Sequence, residues 1–187
     1  MVRYFKYGMA LLRGIVFSLL ALFVPSISGG KSIVIYKGAD IRARNLGKIQ
    51  LGKSVKIGSE SCISALNGGH ISIGDNVYIG SKCNLISHES IIIGNDTILA
   101  QNIFIYDHDH KYDAENGVKK REFKTAPIVI GKNCWIGANT MILRGTEIGD
   151  NCVIGAGCIL KGKYPKGSLI IQPRETVVRP IENLNGE

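Results

Sequence analysis

The sequence predicts an all-β fold, a three-sided parallel β-helix of about five coils, and three observations predict it. First, aliphatic residues stand six apart in five triplets: Leu51, Ile57, Ile63; Ile73, Ile79, Leu85; Ile93, Leu99, Ile105; Ile130, Ile136, Ile142; and Ile148, Ile154, Leu160. Second, Gly follows directly at nine of these fifteen positions, as at Gly52, Gly58, Gly74 and Gly80. Third, the residue two before each aliphatic is mostly β-branched or small, as in Val55, Ile71, Val77, Thr97, Cys134, Thr140 and Cys152. A six-residue period with a turn residue after the aliphatic makes each unit one short strand plus a corner, and three units close one coil. Residues two apart share a face of a strand, so both positions of each unit point inward.

Taken in chain order, the first element is an N-terminal segment, residues 1–30, expected to form a short helix. An apolar stretch over residues 14–24 follows Arg3, Lys6 and Arg13 and stops at Pro25. Eleven uncharged residues are too few to cross a bilayer, which takes about 20. Residues 1–50 carry eight Lys or Arg against the single Asp40, so this segment holds +7 of the net charge of +8. A basic, apolar helix suits an anionic membrane surface through residues 1–25. A helix covering the end of the prism, where strand edges and core lie open, is the competing reading, and Ser26-Ile27-Ser28 imitates a signal-cleavage site. Charge confined to one end argues against a nucleic-acid partner, whose basic face would run along the coils.

The repeat domain, residues 31–187, follows. Its corners carry Asp, Asn or Lys after Gly, as in Gly74-Asp75-Asn76, Gly131-Lys132-Asn133 and Gly149-Asp150-Asn151, because short polar residues tolerate tight turns. Four of the five cysteines sit at the inward small position, and no C-x-x-C pair occurs, so buried reduced thiols are expected rather than a disulfide framework or a metal site. A cytoplasmic location, peripheral at the inner membrane face, fits these features.

Extra residues interrupt the count after Ile63, after Leu85 and, in one long loop at about 106–129, after Ile105. Each interruption follows the third strand of its coil, so all should emerge from one edge of the prism. All four histidines lie in them: His70, His88, His108 and His110. Loops at one edge of a stiff scaffold are where function concentrates. The long loop reads Asp107-His108-Asp109-His110-Lys111-Tyr112-Asp113. An imidazole beside a carboxylate is held in one tautomer near neutral pKa, as a general base requires. His88, Asp107 and Asp109, at the same edge, are candidates for acceptor binding.

These residues resemble those of the hexapeptide-repeat acyltransferases, in particular the maltose and galactoside O-acetyltransferases and the capsular or exopolysaccharide O-acetyltransferases. The resemblance covers roughly residues 50–180. It is strongest at Ile130-Gly131-Lys132-Asn133-Cys134-Trp135-Ile136-Gly137 and at Ile148-Gly149-Asp150-Asn151-Cys152-Val153-Ile154-Gly155-Ala156-Gly157. It implies a left-handed β-helix, a homotrimer with sites in the clefts between prisms, and acetyl-CoA as acyl donor with no metal. It also implies His110 as the base, four residues after Tyr106 and three before Asp113, with His108 in reserve. Trp135, Gly137, Ala138, Gly155 and Ala156 would line the donor's arm, and Lys161, Lys163 and Arg179 would meet its phosphates. The sequence departs from the family at Cys158, at Lys161-Gly162 and at Ile171-Gln172-Pro173-Arg174, which points to a different phosphate grip.

The activity expected from the resemblance is acetyl transfer to a sugar hydroxyl of a glycan, polysaccharide or lipid-linked precursor. Three alternatives stand beside it: N-acetylation of an amino sugar, a β-helix zinc enzyme of the carbonic anhydrase kind using His88, His108 and His110, and a scaffold without catalysis.

Overall fold

The computed structural model describes the backbone of residues 2–179 and the side chains of residues 6–179. The chain winds through three parallel sheets, two of seven strands and one of six, each strand pairing with its counterpart one coil away. Ile49, Ile71, Ile91 and Ile128 lie side by side in the first sheet, and Ile57, Ile79, Leu99 and Ile136 in the second. All fifteen aliphatics of the triplets are buried, and so are the fifteen residues two before them. The core is therefore a stack of two-residue rungs from three sides, and it excludes water along its whole length.

The buried hydroxyls are satisfied within this stack. Thr97 Oγ1 donates to the Gly131 carbonyl at 2.9 Å and accepts from the Cys134 N–H at 3.1 Å, while Ser61 Oγ donates to the Gly80 carbonyl at 2.8 Å. The five cysteines are free thiols. Burial pushes the Cys83 and Cys134 thiols above their ordinary value, so these side chains act as small apolar fillers.

The coil count corrects the expectation of five. Six coils are complete, beginning at Ile27, Lys48, His70, Ser90, Ile128 and Glu147, and a seventh is started by Lys163–Tyr164 and Leu169–Ile170. The first coil starts at Ile27–Gly29, inside the segment assigned to the N-terminal helix. Gly29 there occupies the register of Leu51, and a Cβ on it would lie 2.9 Å from Ile33 Cδ1. An aliphatic would not fit, so the repeat's signature is erased at that point.

The helix spans Val2–Ala21. Ala10 and Gly14 are buried, with Phe17, Ser18 and Ala21 half-buried on the same side, and this face, small apart from Phe17, packs on the first coil beside Ile33 and Val34. A Cβ at Gly14 would collide with the Ile33 carbonyl oxygen. The helix thus covers the open end of the prism, which the fold requires because a terminal coil otherwise exposes core and strand edges. At the other end Gln172 does this work: its amide accepts from the Ile159 N–H and donates to the Ile159 carbonyl, both at 2.8 Å.

The long insertion is a second correction. It is an antiparallel hairpin, His108–Asp113 against Gly117–Thr125, with a bulge between His110 and Lys111. Bulges bend a strand and re-aim its side chains. The hairpin stands out at the corner where the third face turns into the first.

Candidate active site

The third-to-first corner carries a column of polar side chains, one from each of successive coils. Asn45 and Asn67 hold the left-handed turn conformation, with φ of 51° and 52°, which Asn tolerates better than most residues. Asn45 Nδ2 donates to Asn67 Oδ1 at 3.0 Å, Asn67 Nδ2 lies 3.4 Å from His88 Nδ1, and the His88 and His108 ring centres are 4.2 Å apart. The expected gathering of insertions at one edge is what the structure has. His70 does not join the column; it begins a strand of the first sheet beside Lys48 and Ser90.

Asp107 anchors the column from within. Its carboxylate is fully buried and accepts from Ser87 Oγ at 2.6 Å, from the His88 N–H at 2.8 Å and from the Glu89 N–H at 2.9 Å, and His108 Nδ1 lies 3.2 Å away. Burial works to raise its pKa, but hydrogen bonds from His108, Ser87 and the two backbone groups outweigh that and hold it below the ordinary value. Asp107 is therefore a carboxylate that fixes the corner rather than a group offered to an acceptor. His108, its side chain 15% exposed, is wedged between His88, Tyr106 and Phe123, whose ring stands edge-on at 5.3 Å. His88 has its pKa lowered by burial first and then by the neighbouring His108, against the opposing pull of Asp107.

His110 is exposed on the hairpin, its ring 4.8 Å from that of Phe123 directly across the strand pair. It opens onto a cavity of about 390 Å³ shared with Asp109, Lys111, Tyr112, Asp113, Lys119, Lys124 and Arg144. Asp109 pairs with Arg144, docking the hairpin onto the next coil. Asp113 lines the same cavity as His110, but its carboxylate is engaged by the hairpin turn. Its Oδ1 accepts from the Glu115 N–H at 3.1 Å and the Asn116 N–H at 2.7 Å, and its Oδ2 lies 3.3 Å from Lys119 Nζ, so it closes the hairpin turn.

The residues assigned to the donor lie elsewhere on the prism. Gly137, Ala138, Gly155 and Ala156 form successive levels of the corner between the second and third faces, one face away from the hairpin. Coil stacking alone demands Gly at the first of these levels, where a Cβ on Gly137 would lie 2.6 Å from Ala156 N, whereas one on Gly155 would meet the Ile171 side chain at 3.0 Å. The Gly137 and Gly155 N–H groups donate to Ile154 and Ile170 carbonyls at 2.8 Å. Those of Ala138 and Ala156 have no hydrogen-bond partner among the described residues. Trp135 is 55% exposed on the second face. Lys161 is exposed, Lys163 pairs with Glu147 at 2.9 Å, and Arg179 lies in the exposed C-terminal segment. Arg174 donates to the Gly157 carbonyl at 2.6 Å, so the departure at Ile171-Gln172-Pro173-Arg174 secures the last coils. Among the described residues no three His, Cys, Asp or Glu side chains converge as metal ligands.

Phe123, Ser87, Asn67 and Arg144 complete the site and were not foreseen. Ser87 and Arg144 could have been placed, since each follows an inward aliphatic, Leu85 or Ile142, by two residues at this corner. Nothing in the sequence marks Phe123.

A family model described as the hexapeptide repeat of succinyl-transferase matches residues 70–107 and 127–161, on both sides of the hairpin. Those residues are hexapeptide repeats. A putative lipopolysaccharide biosynthesis O-acetyl transferase of Escherichia coli K12 is 33% identical to this hexapeptide-repeat chain over 95 residues, covering 46% of the chain and 48% of that relative. The galactoside O-acetyltransferase of the same organism is 33% identical over 99 residues, 53% of the chain and 48% of that protein. The chain spans about half the length of these curated relatives. Among solved structures, AntD, an N-acyltransferase from Bacillus cereus in complex with dTDP and 3-hydroxybutyryl-CoA, superposes with a TM-score of 0.65 at 22% identity, over 80% of each chain. That likeness shows the shared fold.

Proposed function

We propose that this hexapeptide-repeat protein transfers an acetyl group from acetyl-CoA to a sugar hydroxyl of a glycan, polysaccharide or lipid-linked precursor, with His110 as general base. The observation that carries the reading is that His110 opens onto a polar cavity, while Asp107 and His108 hold the hairpin's root. The O-acetyl transfer for which the two Escherichia coli relatives are named supports the reaction type. Tyr112, Asp109 and Arg144 around the cavity offer donors and acceptors suited to a polyol.

Acetyl-CoA supplies an activated thioester carbonyl. His110 accepts the proton of the acceptor hydroxyl as that oxygen attacks the carbonyl carbon, and returns it to the departing thiolate. N–H groups left free at a corner suit both the amide-bearing arm of the donor and the developing oxyanion, and Ala138 and Ala156 carry two such groups one coil apart. Because one face separates that corner from His110, assembly as a homotrimer would bring one subunit's imidazole beside a neighbour's corner.

A second reading of the base is favoured by one observation: His108, not His110, has its Nδ1 beside a buried carboxylate, the usual way to fix a tautomer. Substitutions separate the two. In a thiol-release assay with acetyl-CoA and a panel of nucleotide sugars and lipid-linked glycans, His110→Ala is expected to lose about 10²–10⁴ of the acceptor-dependent rate with melting unchanged. Full activity in His110→Ala, with loss confined to His108→Ala, moves the base two residues. A chelator is expected to leave the rate untouched; its abolition by chelation, restored by zinc, would replace this mechanism with metal-assisted chemistry.

A further inference from the structure

The N-terminal helix presents its faces in the reverse of the usual order for a helix at a water-facing surface, where the apolar stripe faces the core and the polar face looks outward. Here the inward face is made of small residues, Ala10, Gly14 and Ser18, which let the helix backbone sit close to Ile33. The outward face carries Met9, Leu12, Val16, Leu19 and Leu20, and Phe23 just beyond the helix continues it. These positions follow spacings of three and four, so at about 100° per residue they fall on one side of the helix. Leu12 is 52% exposed, Leu19 57% and Phe23 84%. No acidic residue occurs before Asp40, and Asp40 itself is paired with Arg42.

Charge is arranged along the flank of this face. Lys6 and Arg13, two turns apart, reach a cavity of about 560 Å³ that Lys37 also lines, against the single acid Glu60. Beside it runs an apolar cavity of about 640 Å³ between Leu12, Val16 and Leu20 of the helix and Ile35, Ala39 and Ile41 of the first coil. The helix is not both long and apolar enough to cross a bilayer. An apolar face with a cationic flank, on a helix that cannot span, has the chemistry of an element lying in the headgroup region of an anionic membrane.

We propose that the outward face of the Val2–Ala21 helix, continued by Leu22 and Phe23, docks the protein on the surface of an anionic lipid bilayer, with Leu12, Val16, Leu19 and Phe23 entering the acyl boundary and Lys6, Arg13 and Lys37 meeting lipid phosphates. This goes beyond acetyl transfer and does not depend on it. The partner is a bilayer rather than a second copy because the flank carries three cations against one acid, so two such flanks repel while anionic headgroups are attracted.

The test is co-sedimentation of the full chain with vesicles of phosphatidylglycerol and phosphatidylcholine mixed equally, against vesicles of phosphatidylcholine alone, with light scattering of the free protein alongside. The wild type is expected to bind the anionic vesicles and to be released by high salt. Lys6→Gln with Arg13→Gln should weaken binding about 25-fold, at about fivefold per cation. Leu19→Ser with Leu22→Ser should weaken it at least tenfold with melting unchanged, since both side chains are exposed and neither lines the cavity against the first coil. The neutralised Lys6 and Arg13 variant keeps the test decisive if the Leu variant fails to fold. Failure of the wild type to bind anionic vesicles, equal binding to both kinds of vesicle, or self-association that the Leu substitutions abolish in the absence of vesicle binding would overturn the proposal.

Discussion

Asp107 gathers four donors on one carboxylate, and each comes from a different residue: a serine hydroxyl, two backbone N–H groups and an imidazole. Asp107→Asn turns one oxygen into a donor facing donors, so a loss of about 2–4 kcal/mol is expected in denaturant unfolding. The pH dependence has a definite sign. A carboxyl held below its ordinary value of 3.8 contributes stability above that pH, and the contribution disappears as pH falls through the folded-state value. His88 acts in the same direction from a higher starting point: its lowered pKa means that the folded state resists protonation, so stability begins to fall as pH drops below 6.5. Melting temperature against pH should therefore decline in two stages on the acid side, and Asp107→Asn should flatten the lower one. The two histidines and three aspartates of the 107–113 stretch were visible as a cluster in the sequence. Their division of labour was not, because the partner of Asp107 is Ser87, twenty residues away and adjacent only once the coils stack.

At the scale of elements, the corners show how tightly coil geometry governs composition. Gly137→Ala would place a methyl 2.6 Å from Ala156 N, and neither backbone can retreat without breaking the ladder; a loss of about 1–3 kcal/mol is expected, read as a lower melting temperature. Asn133 and Asn151, with φ of 55° and 58°, sit at the next position of the other corner, where a side chain that tolerates the left-handed region is needed. Gly-Asp-Asn and Gly-Lys-Asn were therefore legible as turns. The hairpin was not legible as strands. Asp-His-Asp-His-Lys-Tyr-Asp and Lys-Lys-Arg-Glu lack the alternation that marks a half-buried strand, since most of both hairpin faces meets solvent and Phe123 is the main apolar anchor.

For the molecule as a whole, both ends of the prism are closed by parts outside the regular repeat, the helix at one end and Gln172 at the other. Gly14→Val is expected to push the helix off the Ile33 carbonyl, lowering stability by about 1–3 kcal/mol and opening residues 22–26 to proteolysis, measured by limited digestion. The first coil escaped the count because Gly29 stands where an aliphatic would keep the period, and because ten residues rather than six separate Ile41 from Leu51. The same ten-residue step, from Ile63 to Ile73, was recognised one coil later because strict repeats followed it.

The rigid pitch of the coils also works as a ruler. Successive levels rise by about 4.8 Å, and the hairpin leaves the prism after the fourth coil, three levels beyond the one that the helix covers. Whatever surface seats that helix, His110 is carried at an altitude of about 15 Å above the first coil. An acceptor tethered to that surface must reach this far, so the number of coils below the hairpin would sort tethered acceptors by length before any side chain touches them.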